Sequence, residues 1–335
     1  MSIKVLGIDI AKNVFQLHGR DSLGRVVLEK RLSRAQLLPF VGKLSACRIE
    51  IEAGSGAHYW AKEFEKLGHE ARIIPAQFVR PFVKANKNDM RDAEAICEAM
   101  TRPGMRFVPV KSGLQLEQQS VHRVRSRVVA SKTALVNEIR GLLAERGLVY
   151  GRKPSVIRRE LEKLLGQEHS FGHIGASVFA RLLSELVRLD EEIAHYDALI
   201  KQIEREDPSC TRLKAVPGIG LITATALACA VQPTQFQSGR HLAAWIGLVP
   251  RQHSSGGRSR LLGISKRGNP YLRTLLIHGA RSVVRHAEGK QDRTSLWIQR
   301  LVERRGKNRA AVAVANKNAR MVWAMLSRQQ DYRAA

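Results

Sequence analysis

The sequence predicts an α/β domain followed by two all-α regions. Two observations carry this reading. The first hundred residues alternate short β-branched runs with amphipathic helical stretches, the pattern of a sheet covered by helices. From about Ser112 the strand signal stops, and apolar residues recur at steps of three and four. A third observation bears on function: 56 Lys and Arg stand against 30 Asp and Glu, a net charge of +26.

In chain order, residues 3–31 read as three strands: "IKVLGIDI", the alternating "NVFQLHGRD", and "GRVVLEKRL" after a turn at "DSLG". Ser33 to Leu44 reads as a helix with Ser33 as its N-cap. "CRIEIEAG" is a fourth strand, "AHYWAKEFEKLG" an amphipathic helix ended by Gly68, and "EARIIPA" a fifth strand. "DMRDAEAICEAM" is a helix with acids in its first turn, and "MRFVPV" reads as a last strand. Between Ser112 and Glu206, Leu182, Leu186, Leu189, Ile193, Tyr196, Ile200 and Ile203 form an a/d seam. Val121, Val124, Val128, Ser131 and Leu135 keep a similar step. Two long helices that pair as an antiparallel coiled coil, within the chain or across a dimer, satisfy both stripes. A plain helical bundle carries the same stripes. "EDPSC" breaks the helix, and the rest of the chain reads as helical apart from "PRQHSSGGRSRLLGISKRGN", Pro250 to Asn269. The expected domains are 1–111, 112–206 and 207–335.

Composition excludes several classes. No apolar run reaches the roughly 18 residues of a membrane span, and the start lacks the layout of a signal peptide. Cys47, Cys97, Cys210 and Cys229 are scattered without metal-ligand spacing, and read as buried, reduced thiols of a cytosolic protein. The positive charge points to polyphosphate, drawn by counterion release. From Arg251 to Ala335 there are 19 Lys and Arg against 4 Asp and Glu. These cations are not confined to one amphipathic helix, which favours nucleic acid over an anionic membrane.

Three stretches carry candidate chemistry. The first is a carboxylate set. Asp9 sits in the first strand between Ile8 and Ile10, so it faces away from the core if they face it. Glu52 ends the fourth strand, and Asp89 and Asp92 share one helix face. Two carboxylates about 4 Å apart repel by roughly 4 kcal/mol at an effective dielectric of 20. A converging cluster therefore needs protons or cations, and hard oxygen ligands suit Mg²⁺ or Mn²⁺. Taken singly, each acid is a surface charge, and Asp92 serves a helix N-terminus. The order of strands, acids and helix is the one a ribonuclease-H-like fold requires. The second stretch, "LKAVPGIGLITATALA", matches a helix-hairpin-helix, in which Gly218 and Gly220 let backbone N–H groups meet a DNA phosphate. A tight turn without ligand fits as well. The third is the Pro250–Asn269 stretch, read on residue types alone as a basic phosphate-binding loop or a serine site. Its glycines let a backbone approach a phosphodiester.

Together "GIDIAKN", "EAGSGAHYW", "KNDMRDAEAI", "VPGIGLITA" and "WIGLVPRQHSSGGRSRLLGISKRGNPYLRTLLIHGAR" resemble the DEDD-type insertion-sequence transposases, in the family's order and over nearly the whole chain. The resemblance implies a RuvC-like, ribonuclease-H-like first domain, a coiled-coil domain and a serine-bearing transposase domain. It implies that Asp9, Glu52, Asp89 and Asp92 hold Mg²⁺. It also implies that a serine attacks DNA to form a covalent phosphoserine, the two halves of the site coming from different subunits. The family's serine precedes a glycine, which selects Ser255 and leaves Ser254 as the alternative. Candidate phosphate contacts are Arg251, Arg258, Arg260, Lys266, Arg267 and Arg273. The family also implies a structured non-coding guide RNA, and an oligomer that is a dimer or, at synapsis, a tetramer. The expected function is transposition by DNA strand exchange. A metal-dependent junction endonuclease and a non-enzymatic DNA-binding protein are the rival readings.

Overall fold

The computed structural model describes residues 2–83, 89–99, 102, 104–167 and 170–333. The chain divides into two compact units, 1–112 and 113–335.

The first unit opens with β1 (Val5–Ile10), β2 (Val14–Arg20), β3 (Val26–Ser33) and α1 (Arg34–Val41). It continues with β4 (Arg48–Glu52), α2 (Ala57–Lys66), β5 (Glu70–Ile74), a single turn α3 (Ala76–Val79) and α4 (Asp89–Ala99). The five strands form one mixed sheet in the order β3-β2-β1-β4-β5. β1 and β2 pair antiparallel, β1 and β4 parallel. The turn between β2 and β3 closes on Asp21, whose Oδ1 accepts from the N–H groups of Leu23 and Arg25 at 2.9 Å each. Ser33 caps α1 by donating its N–H and hydroxyl to the Gln36 side chain, both at 3.0 Å. The expected strand at "MRFVPV" is reduced to one antiparallel bridge, Val108 to Ile73.

The two faces of this sheet differ in kind. Leu6, Ile8, Phe15, Leu17, Ile49 and Ile51 bury on one face, against Leu37 and Val41 of α1 and Trp60 and Phe64 of α2. Helix α4 covers the other face, packing on β1, β2 and β4. The close approach is made at Gly7, where a Cβ would lie 2.6 Å from the Ala93 carbonyl oxygen.

The second unit begins with α5 (Gly113–Ala144), α6 (Pro154–Leu165) and α7 (His173–Glu206), then α8 (Pro208–Lys214), α9 (Leu221–Ala230) and α10 (Gly239–Trp245). A hairpin, β6 (Pro250–Ser255) and β7 (Arg258–Ile264), precedes α11 (Pro270–Arg285), α12 (Arg293–Arg305) and α13 (Lys307–Arg328). The long helices α5 and α7 run antiparallel within the chain: Arg125 pairs with Asp197 at 2.6 Å, and Lys132 pairs with Asp190 about two turns on. Val128, Leu135 and Ile139 meet Leu186, Leu189 and Phe179 between them. Of the two stripes read from the sequence, Val124, Val128 and Leu135 on α5 and Leu182, Leu186, Leu189, Ile193 and Tyr196 on α7 belong to this cluster. Both helices also pack on α9, so the expected boundary near 206 marks the end of α7 inside one compact unit.

His122 on α5 is 3% exposed and shares a hydrogen bond of 3.1 Å with the Tyr271 hydroxyl on α11. Burial, with the nearby Arg125 charge adding, pushes its imidazole down to about 4. The unfolded chain therefore takes up this proton first. Stability is full above about pH 6.5 and falls toward pH 4, by about 3 kcal/mol in all at 1.36 per unit. Urea titrations from pH 7 to pH 4.5 should show this slope in the native chain and a shallower one in His122→Leu.

Candidate nucleic-acid-cleaving site

On the α4 face, β1, β2 and β4 carry a polar layer, and Ile74 of β5 packs beside it with Ala95, Ile96 and Ala99 of α4. Strand alternation puts Gly7 and Asp9 of β1 on one face with Gln16 and His18 of β2, through the pairs Asp9↔Gln16 and Gly7↔His18. The parallel pairs Gly7↔Glu50 and Ile8↔Ile51, continued by one residue, set Glu52 beside Asp9. Ile8 is fully buried on the opposite face, so Asp9 does point away from the apolar core. Asp9, Glu52 and Asp92 are all half-buried. Asp92 lies on α4 just before Ala93, the residue that meets Gly7. Asp89 opens α4, and its side chain lies outside the described residues.

Sequence reading passed over two neighbours of this set. Glu50 is 0% exposed, and neither of its carboxyl oxygens has a hydrogen-bond partner. Burial pushes its carboxyl up to about 8, against the pull of Arg72 and Arg48. The amide oxygen of Gln16, across from Asp9, is likewise buried without a partner. The signal was present in "RIEIE", since residues two apart on a strand share a face. Among the described residues, no three His, Cys, Asp or Glu side chains stand close enough together to hold a metal ion. The side chains of this layer nonetheless offer oxygen donors, the kind a hard divalent cation takes, and those of Glu50 and Gln16 are buried without a partner.

In the second unit, the stretch expected to be a loop is a β-hairpin. Gly256 and Gly257, with φ of 55° and 77°, form its two-residue turn, and glycine takes two successive positive φ values at low cost. A Gly-Gly pair between strand-length segments was the available signal. It was masked because neither strand alternates apolar with polar. All of β6 is exposed. The register is Ser255↔Arg258, Ser254↔Ser259, His253↔Arg260 and Gln252↔Leu261. Ser255, His253, Arg258 and Arg260 therefore share one face, and directly opposite pairs hold their Cβ atoms about 5 Å apart. Ser254 shares the other face with Gln252, Ser259 and Leu261, and its hydroxyl accepts from the Gln252 amide at 2.8 Å.

The remaining basic candidates differ in their surroundings. Lys266 has φ of 55°, a strained value for a residue with a Cβ. Arg267 is exposed. Arg273 donates to the carbonyls of Ile246 and Arg267, both at 2.8 Å, and so ties the turn after the hairpin to the end of α10. Arg251 faces an irregularity in the β6–β7 register. The expected helix-hairpin-helix residues form the turn between α8 and α9. There Gly218 has φ of 86°, and a Cβ on it would lie 2.9 Å from the Gly279 carbonyl oxygen. This glycine is needed for close packing on α11. Gly220 has open space around it.

All four cysteines are buried. Among the described residues, no helix is long and apolar enough to cross a membrane.

Known proteins are similar over both units. A family model described as a DEDD transposase of the IS110 type matches residues 6–146, and one described as "Transposase IS116/IS110/IS902 family" matches 210–295. The "Probable family 20 transposase" of Pseudomonas aeruginosa is 50% identical over 99% of both chains. The "Transposase for insertion sequence element IS1111A" of Coxiella burnetii is 47% identical over 99% of this chain and 92% of its own. The "Transposase for insertion sequence element IS1328" of Yersinia enterocolitica is 38% identical over 96% of each. Matched by both family models and by these relatives over nearly the whole of each chain, the chain belongs to the IS116/IS110/IS902 family of transposases.

Proposed function

We propose that the chain moves its insertion sequence by DNA strand exchange through a covalent phosphoserine, with Ser255 as nucleophile. One observation carries this reading. The hairpin register sets Ser255 on an exposed face opposite Arg258, beside His253 and Arg260. Serine attack needs a base for its proton and positive charge for the phosphorane oxygens. On that face, His253 is the nearest base and the two arginines supply the charge. Ser255 Oγ forms the new ester to phosphorus and its proton passes to His253, while the bond from phosphorus to the sugar oxygen breaks and that oxygen takes a proton from solvent water. Arg251, Lys266 and Arg267 extend the positive surface along the strand, and Gly220 leaves the N-terminus of α9 open to a phosphate.

Asp9, Glu52, Asp89 and Asp92 would hold Mg²⁺ or Mn²⁺, with the Gln16 amide oxygen and Glu50 facing the same layer. A bound divalent ion would supply Lewis-acid stabilisation of phosphodiester oxygens. A guide RNA and a homo-oligomer belong to the same proposal, carried by the family resemblance and the net charge.

The test uses the full-length chain, DNA carrying the element with its flanks, and RNA transcribed from the element's non-coding end. A protein–DNA adduct that survives denaturation in Mg²⁺ and maps by mass spectrometry to Ser255 is expected. Strand breakage without an adduct would establish the junction-endonuclease reading instead, and retarded DNA with no cut strand the binding-only reading. Asp9→Asn should abolish breakage and adduct alike, as should chelation of divalent ions. Undiminished breakage in Asp9→Asn would remove the metal assignment.

A further inference from the structure

Beside the base of the hairpin lies a cleft of about 1140 Å³. Helix α13 forms its floor with Arg309, Ala313, Lys317, Arg320 and Ala324, a stripe at steps of three and four on one helix face. The mouth adds Arg240 from α10 and Arg293 and Trp297 from α12. Pro250 and Ile264, the pair that closes the hairpin, make one wall. Gly239 fixes the α10 end, because a Cβ there would lie 2.8 Å from the Arg320 backbone. Five cations thus line one concave surface with no carboxylate among the lining residues. Among the described residues, none of the five takes part in an ion pair with another side chain. Gathering like charges around a cleft without acids costs repulsion, which an anionic occupant relieves.

We propose that this cleft binds an unpaired nucleotide of the DNA strand that crosses the serine hairpin. This rests on the reading of Ser255 as nucleophile. Three features select the ligand. The cations match phosphates. The volume slightly exceeds the usual range for small-ligand pockets, so a nucleotide enters with part of its backbone. Trp297 lines the cleft with Lys317 Nζ held 4.9 Å from its ring centroid. A base stacks on an indole more strongly than an exposed ammonium holds to one. An incoming nucleotide therefore takes the ring and passes the ammonium to its phosphate. A paired duplex keeps its bases stacked inside and offers the indole nothing. Position selects the strand. Five residue steps separate Pro250 from Ser255, about 17 Å along an extended chain, which is about five base steps of DNA. The cleft lies mostly on residues beyond 295, where the matched family region ends.

The experiment measures binding of the full-length chain to fluorescein-labelled oligothymidylate of about 20 nucleotides, oligouridylate of the same length, and a duplex of equal length. Trp297→Ala should weaken oligothymidylate by about tenfold and duplex by less than about twofold, and Trp297→Phe should restore most of the loss. Arg309→Gln with Lys317→Gln should weaken oligothymidylate and lower the steepness of its salt dependence. Because Trp297 also packs against the core, the Phe and paired Gln variants decide the matter if Trp297→Ala does not fold. Equal losses on duplex and single strand would reduce the cleft to a phosphate surface and overturn the proposal. A loss confined to oligouridylate would make the ligand RNA, and no loss on any probe would leave no nucleotide site; either overturns it. None of these measurements needs Ser255. Normal single-strand binding by every cleft variant, in a protein that still forms the serine adduct, sinks the cleft alone. A lost adduct with intact cleft effects sinks the nucleophile alone.

Discussion

Ser255→Ala is expected to abolish the covalent protein–DNA adduct and all strand joining, by about 10⁴-fold or more, while Ser254→Ala retains the adduct within about threefold. The two serines are neighbours in sequence and chemically identical, so only the pleat separates them. Alternation gives Ser255 the face with His253, Arg258 and Arg260. Ser254 has the face with Leu261 and accepts a hydrogen bond from Gln252. Oxygen attack on a phosphodiester fails without charge on the phosphorane oxygens, and that charge is on one face. The readout is radiolabelled DNA retained on protein in a denaturing gel. Retention by Ser255→Ala with loss in Ser254→Ala would mean that the register in solution is slipped by one residue, which turns every side chain over.

Gly279→Ala carries the largest expected cost in stability. The Gly218 carbonyl rests against the Cα of Gly279, and a methyl group there would sit inside that oxygen. Both partners are backbone, so no rotamer change relieves the clash. Either α11 backs away from the turn between α8 and α9, or the turn refolds. Overpacking of this kind costs about 3 kcal/mol, or about 10 °C in Tm for a unit of this size. Gly220→Ala is the control: its surroundings are open and its φ of −86° suits any residue. It should melt within about 2 °C of the native chain. A Gly279→Ala protein that melts normally would refute the close packing.

The sheet was legible because its strands are β-branched and bounded by turn residues, and because Ile8 and Ile10 flank Asp9. The carboxylate layer was legible in part. Asp9 and Glu52 follow from strand alternation, whereas Glu50 and Gln16 gain meaning only from register, which pairs residues far apart in sequence. The long helices were legible from their stripes. The breaks that set off α6 were marked by Gly147, Pro154, Gly166 and Gly172, signals weaker than the heptad step around them. The hairpin was misjudged for a physical reason. Sequence patterns report burial, and β6 buries nothing, so a strand held by backbone pairing alone looks like a loop. Gly218 shows the converse, since a glycine that suits a phosphate-binding turn is required by a neighbouring helix.

That unburied hairpin has a consequence for when the protein can act. Two strands without an apolar face are marginal in water, and both outer edges of this ribbon keep unpaired N–H and C=O groups. A strand lying along it would add to its order, and its charge suits a nucleic-acid backbone. On the proposed reading of Ser255, the nucleophile is shaped by the strand that it cuts. On that reading, copies with no strand along the hairpin would cut little, because the residues that attack are also the ones the strand orders.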